Sequence, residues 1–375
     1  MDTNEPRPEN AVPQQSPQGE SKPQAAPEPT AQLPQRIILE QPVGAFARLG
    51  RRMILLALII SILFNFSHMG SNQTGDAVQE KFYSGNRNAT DKVAIIRLTG
   101  PIIDGEGFVK DQIDQVMGDP NVQAGVVRID SPGGTVTGSN YLYHHLAKLA
   151  KKKPVVISMG SICASGGYYI AMAVGGNGII YAEPTTWTGS IGVLIPHYDI
   201  SNLLEHWKIK DDTIASHEMK LAGSPTRKLT DEQRKKEREV LQGLVDECFE
   251  QFKEIVQKGR PHLADLNKSK QDEIFSGRIF TANQALDRKL VDKIGFLEDA
   301  IDRAINLAIK KGDITSKDNV KIVKYTRQPG LMEVLMGAQA QKDHSPGLSA
   351  LLDLTVPRAY FLPQWMPGVL STKRN

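Results

Sequence analysis

Cysteine is scarce in this chain: Cys163 and Cys248 are the two among 375 residues, and they lie far apart. That excludes a disulfide scaffold and a cysteine-rich zinc site, and leaves the redox compartment open. Charge of one sign is also lacking, with 45 basic against 42 acidic residues and a net charge of +3. A nucleic-acid binder would carry a strong basic excess, so none is expected as a partner. There is no P-loop, no HExxH and no repeat of fixed period. Aromatic residues are absent from residues 1–35, which hold eight of the 22 prolines. Such a segment buries too little apolar area to offset its ordering entropy and is expected to be disordered. Long apolar runs are wanting too, which excludes a multi-span membrane protein. With 40% hydrophobic and 23% charged residues, the remainder suits one large or two modest globular domains.

One apolar run does occur, at residues 53–66, interrupted by Ser61 and Asn65. It is shorter than the ~20 residues that span a bilayer comfortably, but interfacial residues extend it to Met69. No A-x-A cleavage site follows, so an uncleaved anchor is expected rather than a signal peptide. Arg48, Arg51 and Arg52 precede the run, and the next cation after it is Lys81. The positive-inside rule then puts the N-terminus in the cytoplasm and the body beyond the membrane. The expected organisation is a Pro/Gln-rich cytoplasmic tail at 1–50, an anchor at 51–69, a linker at 70–90, a body at 91–327 and an extension at 328–375.

Within the body, β-rich apolar runs at 93–98, 125–129, 154–159, 179–181 and 320–325 predict buried strands. Helical spacing marks 109–117 and 137–152, the second ending in lysines that suit the C-terminal dipole. Residues 164–174 read as a buried helix. Thr230 and Gln233 form a capping box opening a long helix that Gly259 ends. Its apolar face holds Val240, Leu241, Leu244, Val245, Cys248, Phe249, Phe252, Ile255 and Val256. Further helices open at Thr281 and at Leu297, the latter closed by Gly312. Strands alternating with helices argue an α/β domain with a mostly parallel sheet.

Two glycine-bearing loops each follow a buried strand: Ser131-Pro132-Gly133-Gly134 and Ser165-Gly166-Gly167. A serine at a helix start projects its hydroxyl from a tight turn, and nearby amides without intrahelical partners can face an oxyanion. Glycine in the other loop lets a carbonyl approach the main chain. On spacing alone, two tight turns with Ser165 as a helix N-cap explain the pattern equally well. A nucleophilic serine needs a base. Of the eight histidines, only His217 is kept as an alternative, and no spacing gives Asp130 a histidine to orient. A lysine is the other solution, but near its usual ~10.4 it is protonated at neutrality. Burial away from carboxylates removes that obstacle. Lys220, flanked by Met219, Leu221 and Ala222, suits such a wall.

The motifs taken together resemble the signal peptide peptidase SppA family of serine proteases, in its short single-repeat bacterial form. The resemblance spans about residues 90–327. It rests on the runs at 129–134, 164–170 and 188–193, on Lys220 with 223–227, and on 277–281 with 290–295. It implies a ClpP/crotonase-like fold of repeated β-β-α units and a Ser–Lys dyad. In that resemblance Ser165 matches the nucleophile and Lys220 the base; Lys208, Lys210 and Lys228 match less well. Ser190 matches a serine that orients the lysine. Gly134 and Gly166, with Gly133 close by, match the oxyanion hole. It further implies hydrolysis of cleaved signal peptides or other hydrophobic peptides, a homo-oligomeric ring sharing the dyad between subunits, and no cofactor or metal. One departure is Glu218, which beside Lys220 would favour the charged amine if both faced one pocket; Glu218 and Lys220 are therefore not both expected to point into the catalytic cleft. Two rivals remain: a crotonase-type acyl-CoA enzyme, and a non-catalytic membrane scaffold acting through the tail.

Overall fold

The computed structural model describes residues 50, 53–59, 61, 78–327 and 360–361. Most of the tail, the anchor, the first half of the linker and nearly all of the C-terminal extension lie outside them. Residues 50, 53–59 and 61, in the first of two compact units, are helical and exposed. Among the described residues, no helix is long and apolar enough to cross a membrane.

The second unit is built on a nine-stranded sheet. Its main path runs β1 (Val78–Gly85), β10 (Lys321–Arg327), β2 (Lys92–Thr99), β3 (Val122–Ser131), β5 (Val155–Ala164), β6 (Ile179–Ala182) and β9 (Lys293–Ile294). All neighbours on that path are parallel except β1 with β10. Two short strands complete it: β7 (Trp187–Gly189) is parallel to the end of β5, and β8 (Ile279–Thr281) is antiparallel to β7. The expected linker needs correcting: β1 already belongs to the sheet at Val78, because its backbone completes the edge of β10.

Helices cover both faces, which is why the strands read as continuous apolar runs. Alternate residues of β2 separate cleanly. Ala94, Ile96 and Leu98 pack with Ile113 of α1 (Phe108–Gly118) and Leu146 of α2 (Val136–Lys152). Val93 and Ile95 pack with Ala304 and Ile305 of the helix Leu297–Lys311. The α2 helix is N-capped by Thr135, whose side chain accepts from the Gly138 amide.

The site-bearing elements follow from a switch in β5. Its first half pairs with β6, and its end pairs with β7. Between them Ile129 faces Met159 but Ser131 faces Cys163, so residues 160–162 bulge opposite Asp130. The Asp130 carboxylate closes this bulge, accepting from Ser161 Oγ at 2.6 Å and the Ile162 amide at 3.1 Å. Gly160 is required there, since a Cβ would lie 2.9 Å from Asp130 Cβ. Beyond β5 comes the short buried helix α3 (Gly166–Ala171). The helices α4 (Ser201–His206) and α5 (Asp231–Gly259) follow β7, and α5 begins with the predicted Thr230/Gln233 capping box. Only part of its apolar face is covered: Phe252 and Val256 are fully buried, while Val240 is 48% and Leu244 51% exposed.

Candidate active site

Ser165 stands where β5 turns into α3, and its conformation is unusual. Its φ of 54° and ψ of −115° lie where side chains with a Cβ are strained. It occupies the N-cap position, yet its side chain makes no capping hydrogen bond. Its hydroxyl is buried, with no hydrogen-bond partner among the described residues. The capping explanation of this serine therefore fails. A buried hydroxyl normally finds a partner, so this one, at a strained turn, stands out among the described residues. Its amide, by contrast, is held by the Gly189 carbonyl at 2.8 Å.

The two glycine loops, separated by some thirty residues in the chain, abut here. A Cβ on Gly166 would sit 2.4 Å from Ser139 Oγ and 3.2 Å from both Gly133 Cα and the Gly134 nitrogen. One on Gly134 would fall 1.8 Å from the Ile102 carbonyl oxygen. Glycine at both positions is thus a packing requirement. Gly133 differs from its neighbours. Its amide donates to Ser131 Oγ at 3.1 Å and its carbonyl accepts from Ile102, while its φ of 104° makes the turn. Gly134 and Thr135 form β4, whose edge is paired antiparallel with β11 (Tyr360–Phe361), Gly134 opposite Phe361.

Ser190 follows Gly189 and is likewise buried in a left-handed conformation, with φ of 52°. Its amide donates to the Arg278 carbonyl at 2.7 Å. The pairing of Ala164 with Gly189 sets Ser165 and Ser190 at the adjacent ends of β5 and β7. Cys163, two residues before Ser165, is fully buried, and burial pushes its thiol well above the usual range, so no thiolate competes there.

Lys220 lies on a 3₁₀ turn, Glu218–Leu221, capped by His217, whose Nδ1 accepts from the Met219 amide at 3.2 Å. Lys220 is exposed and lines a cavity of about 320 Å³ formed with Leu221–Thr226. Among the described residues, no hydrogen bond or ion pair joins Lys220 to Ser165, Ser190 or Glu218. Glu218 accepts from Gln233 Nε2 at 2.6 Å, with Arg227 Nη2 at 3.8 Å. The other lysines are less suited: Lys228 is paired with Glu205 at 2.7 Å, and Lys208 and Lys210 are exposed. Among the described residues, no cluster of acidic, histidine or cysteine side chains could hold a metal.

Sequence reasoning missed Asp130 as the clasp of the β5 bulge. The signal was present in Asp130 and Gly160, but only the register makes them neighbours.

Known proteins are similar to this chain in sequence. Residues 147–310 match Peptidase family S49. A protein assigned as a protease in Synechocystis sp. is 39% identical over 230 residues, covering 61% of this chain and 79% of that protein. A protein assigned as a signal peptide peptidase SppA in Enterococcus faecium is 30% identical over 273 residues, covering 67% of this chain and 76% of its own. The chloroplastic serine protease SPPA of Arabidopsis thaliana is 32% identical over 281 residues, 69% of this chain but 39% of that longer protein.

Proposed function

Because this chain belongs to peptidase family S49, we propose that it is a membrane-anchored serine endopeptidase with a Ser165–Lys220 dyad on a ClpP/crotonase-like fold. The buried, partnerless Ser165 hydroxyl beside the Gly133-Gly134 turn carries this reading. In the reaction, neutral Lys220 accepts the Ser165 proton as Oγ attacks the scissile carbonyl carbon. The oxyanion is received by the amides of Gly134 and Gly166, and Gly133 shapes the turn that presents them. The lysine passes its proton to the departing amine nitrogen, leaving an acyl-enzyme. Lys220 then takes a proton from water, which attacks the ester, and returns it to Ser165 as the acid product leaves. Ser190 orients the lysine.

A neighbouring copy in a homo-oligomeric ring supplies Lys220. This accounts for a nucleophile without a partner and a base on the surface of the same chain. The segment around Lys220 also exposes Tyr198, Leu203, Trp207, Ile209 and Ile214, and α5 exposes Val240 and Leu244. Apolar surface of this kind favours protein contact. Contact with a second copy would also dry the lysine, the condition a base of this type needs.

The substrates are extended hydrophobic peptides, such as cleaved signal peptides. Support comes from β4, which already accepts an antiparallel strand at Gly134–Thr135 and so has the geometry for pairing with an extended chain. Residues 51–69 anchor the protein, the 1–50 tail is cytoplasmic, and the 91–327 peptidase domain faces away from the cytoplasm. The Arg48, Arg51 and Arg52 cluster supports that orientation. Neither a metal nor a nucleotide enters the scheme.

The test is hydrolysis of a fluorogenic hydrophobic peptide by the full-length protein, alongside labelling by a fluorophosphonate. Ser165→Ala and Lys220→Ala should each abolish turnover, and Ser165→Ala should abolish labelling. Full activity in either variant would overturn the dyad.

A further inference from the structure

Glu237 and Arg260 are the buried charged residues among those described. Arg260 is held by both oxygens of Asp292, far along the chain from the candidate dyad. Glu237 lies on α5, and both its oxygens serve the segment that carries Lys220. Oε2 accepts from the Gly223 amide at 3.2 Å, three residues beyond the lysine, and Oε1 accepts from Arg227 Nη1 at 2.8 Å. The same guanidinium reaches Glu218, two residues before the lysine, at 3.8 Å. Arg227 therefore bridges two carboxylates, one on the turn that carries Lys220 and one on α5 that holds the segment just beyond it.

A buried ion pair is a weak source of stability, because desolvation offsets much of the attraction. Its effect on a neighbouring amine is more specific. An unpaired carboxylate within a few ångströms favours the ammonium form and so opposes a lysine base. Other charges around the turn are already engaged. Arg234 of α5 pairs with Asp199 at 3.1 Å, Lys228 pairs with Glu205, and Asp211 accepts from Thr226. His217 accepts from the Met219 amide, and Asp231 and Glu232 stand exposed in the first turn of α5.

We propose that Arg227 is a positioning residue for the base: by binding Glu218 and Glu237, it keeps both carboxylates off the Lys220 amine and fixes the turn that presents it. The proposal rests on Lys220 being the base. Its test is the pH dependence of kcat/KM for peptide hydrolysis by the full-length oligomer. In Arg227→Gln the acid limb moves about one unit to higher pH, so kcat/KM near neutrality falls about tenfold and recovers in alkali. Arg227→Lys, which keeps the charge, retains most of the wild-type limb. Adding Glu218→Gln to Arg227→Gln brings the limb part of the way back. A uniform loss at every pH, with the limb unmoved, would mean that the arginine only supports the fold and would overturn the proposal. If Arg227→Gln does not fold, the double variant Arg227→Gln/Glu237→Gln, which leaves no buried charge unpaired, carries the test. Glu218 again loses its arginine, and the limb should move in the same direction; a stationary limb refutes the idea. Lys220→Ala separates the two readings, since activity in that variant removes the base itself, whatever Arg227 does.

Discussion

The Ser165 amide donates to the Gly189 carbonyl across 2.8 Å, tying the end of β5 to the end of β7. The next residue on each strand path is thereby fixed, and both Ser165 and Ser190 adopt positive φ. That bond holds the strained serine through its backbone, without recruiting its hydroxyl.

Strain at Ser165 should be measurable as stability. Residues in such regions cost about 1–3 kcal/mol, and glycine is largely exempt. Ser165→Gly is expected to unfold about 1 kcal/mol less readily than the parent while losing all peptide hydrolysis. Urea titration checks the first outcome, and a lowered midpoint would contradict the strain.

The contact between the two glycine loops should be sensitive to a single methyl group. Gly166→Ala places a Cβ 2.4 Å from Ser139 Oγ, forcing the loops apart. A fall in kcat of about 10²–10³ with little change in KM is expected, the magnitude of a lost oxyanion donor. Adding Ser139→Gly removes the obstructing atom and should recover part of kcat; steady-state kinetics of the double variant decides.

Occupation of the β4 edge by Tyr360–Phe361 has a kinetic consequence. If substrate pairs on the same edge, the chain's own strand competes with it. Deleting residues 356–375 should then lower KM by about two- to tenfold, as a larger share of sites is open. A synthetic peptide of residues 356–362 should inhibit the truncated protein competitively. An unchanged KM would mean that substrate runs elsewhere.

The uncovered stripe of α5 predicts assembly behaviour. Val240→Asp together with Leu244→Asp, at positions 48% and 51% exposed, should leave the melting temperature of a single chain nearly unchanged. Ultracentrifugation should show dissociated chains, and hydrolysis should vanish with the oligomer. Intact assembly would place the interface on another surface.

Acid should loosen the segment ahead of Lys220 at a defined point. Hydrogen bonds from the Ser201 hydroxyl, then from its amide, and the Arg234 pair lower the Asp199 carboxyl to about 2. A carboxyl depressed in the folded state contributes stability above its ordinary value of about 3.9, and loses it as pH falls toward the folded value. Ser201→Ala should therefore be destabilised relative to the parent above about pH 4, with the difference fading toward pH 2. Carboxyl NMR titration should show Asp199 shifted upward in the variant.

Much of this protein was legible in the order of its residues. The apolar runs of β2, β3 and β5, the capping box at Thr230 and the glycine turn at 133–134 are local patterns, and local physics decides them. Other features depended on contacts that no spacing reveals. The membership of β1 in the sheet rests on an edge offered by β10, more than two hundred residues later. The bulge clasped by Asp130, the Ser165–Gly189 bond and the Arg227–Glu237 pair each join residues from separate elements. Sequence determined which residue types were on hand for the proposed chemistry. Tertiary structure decided which loops meet, because hydrogen-bond register and packing, acting across the sheet, set those distances.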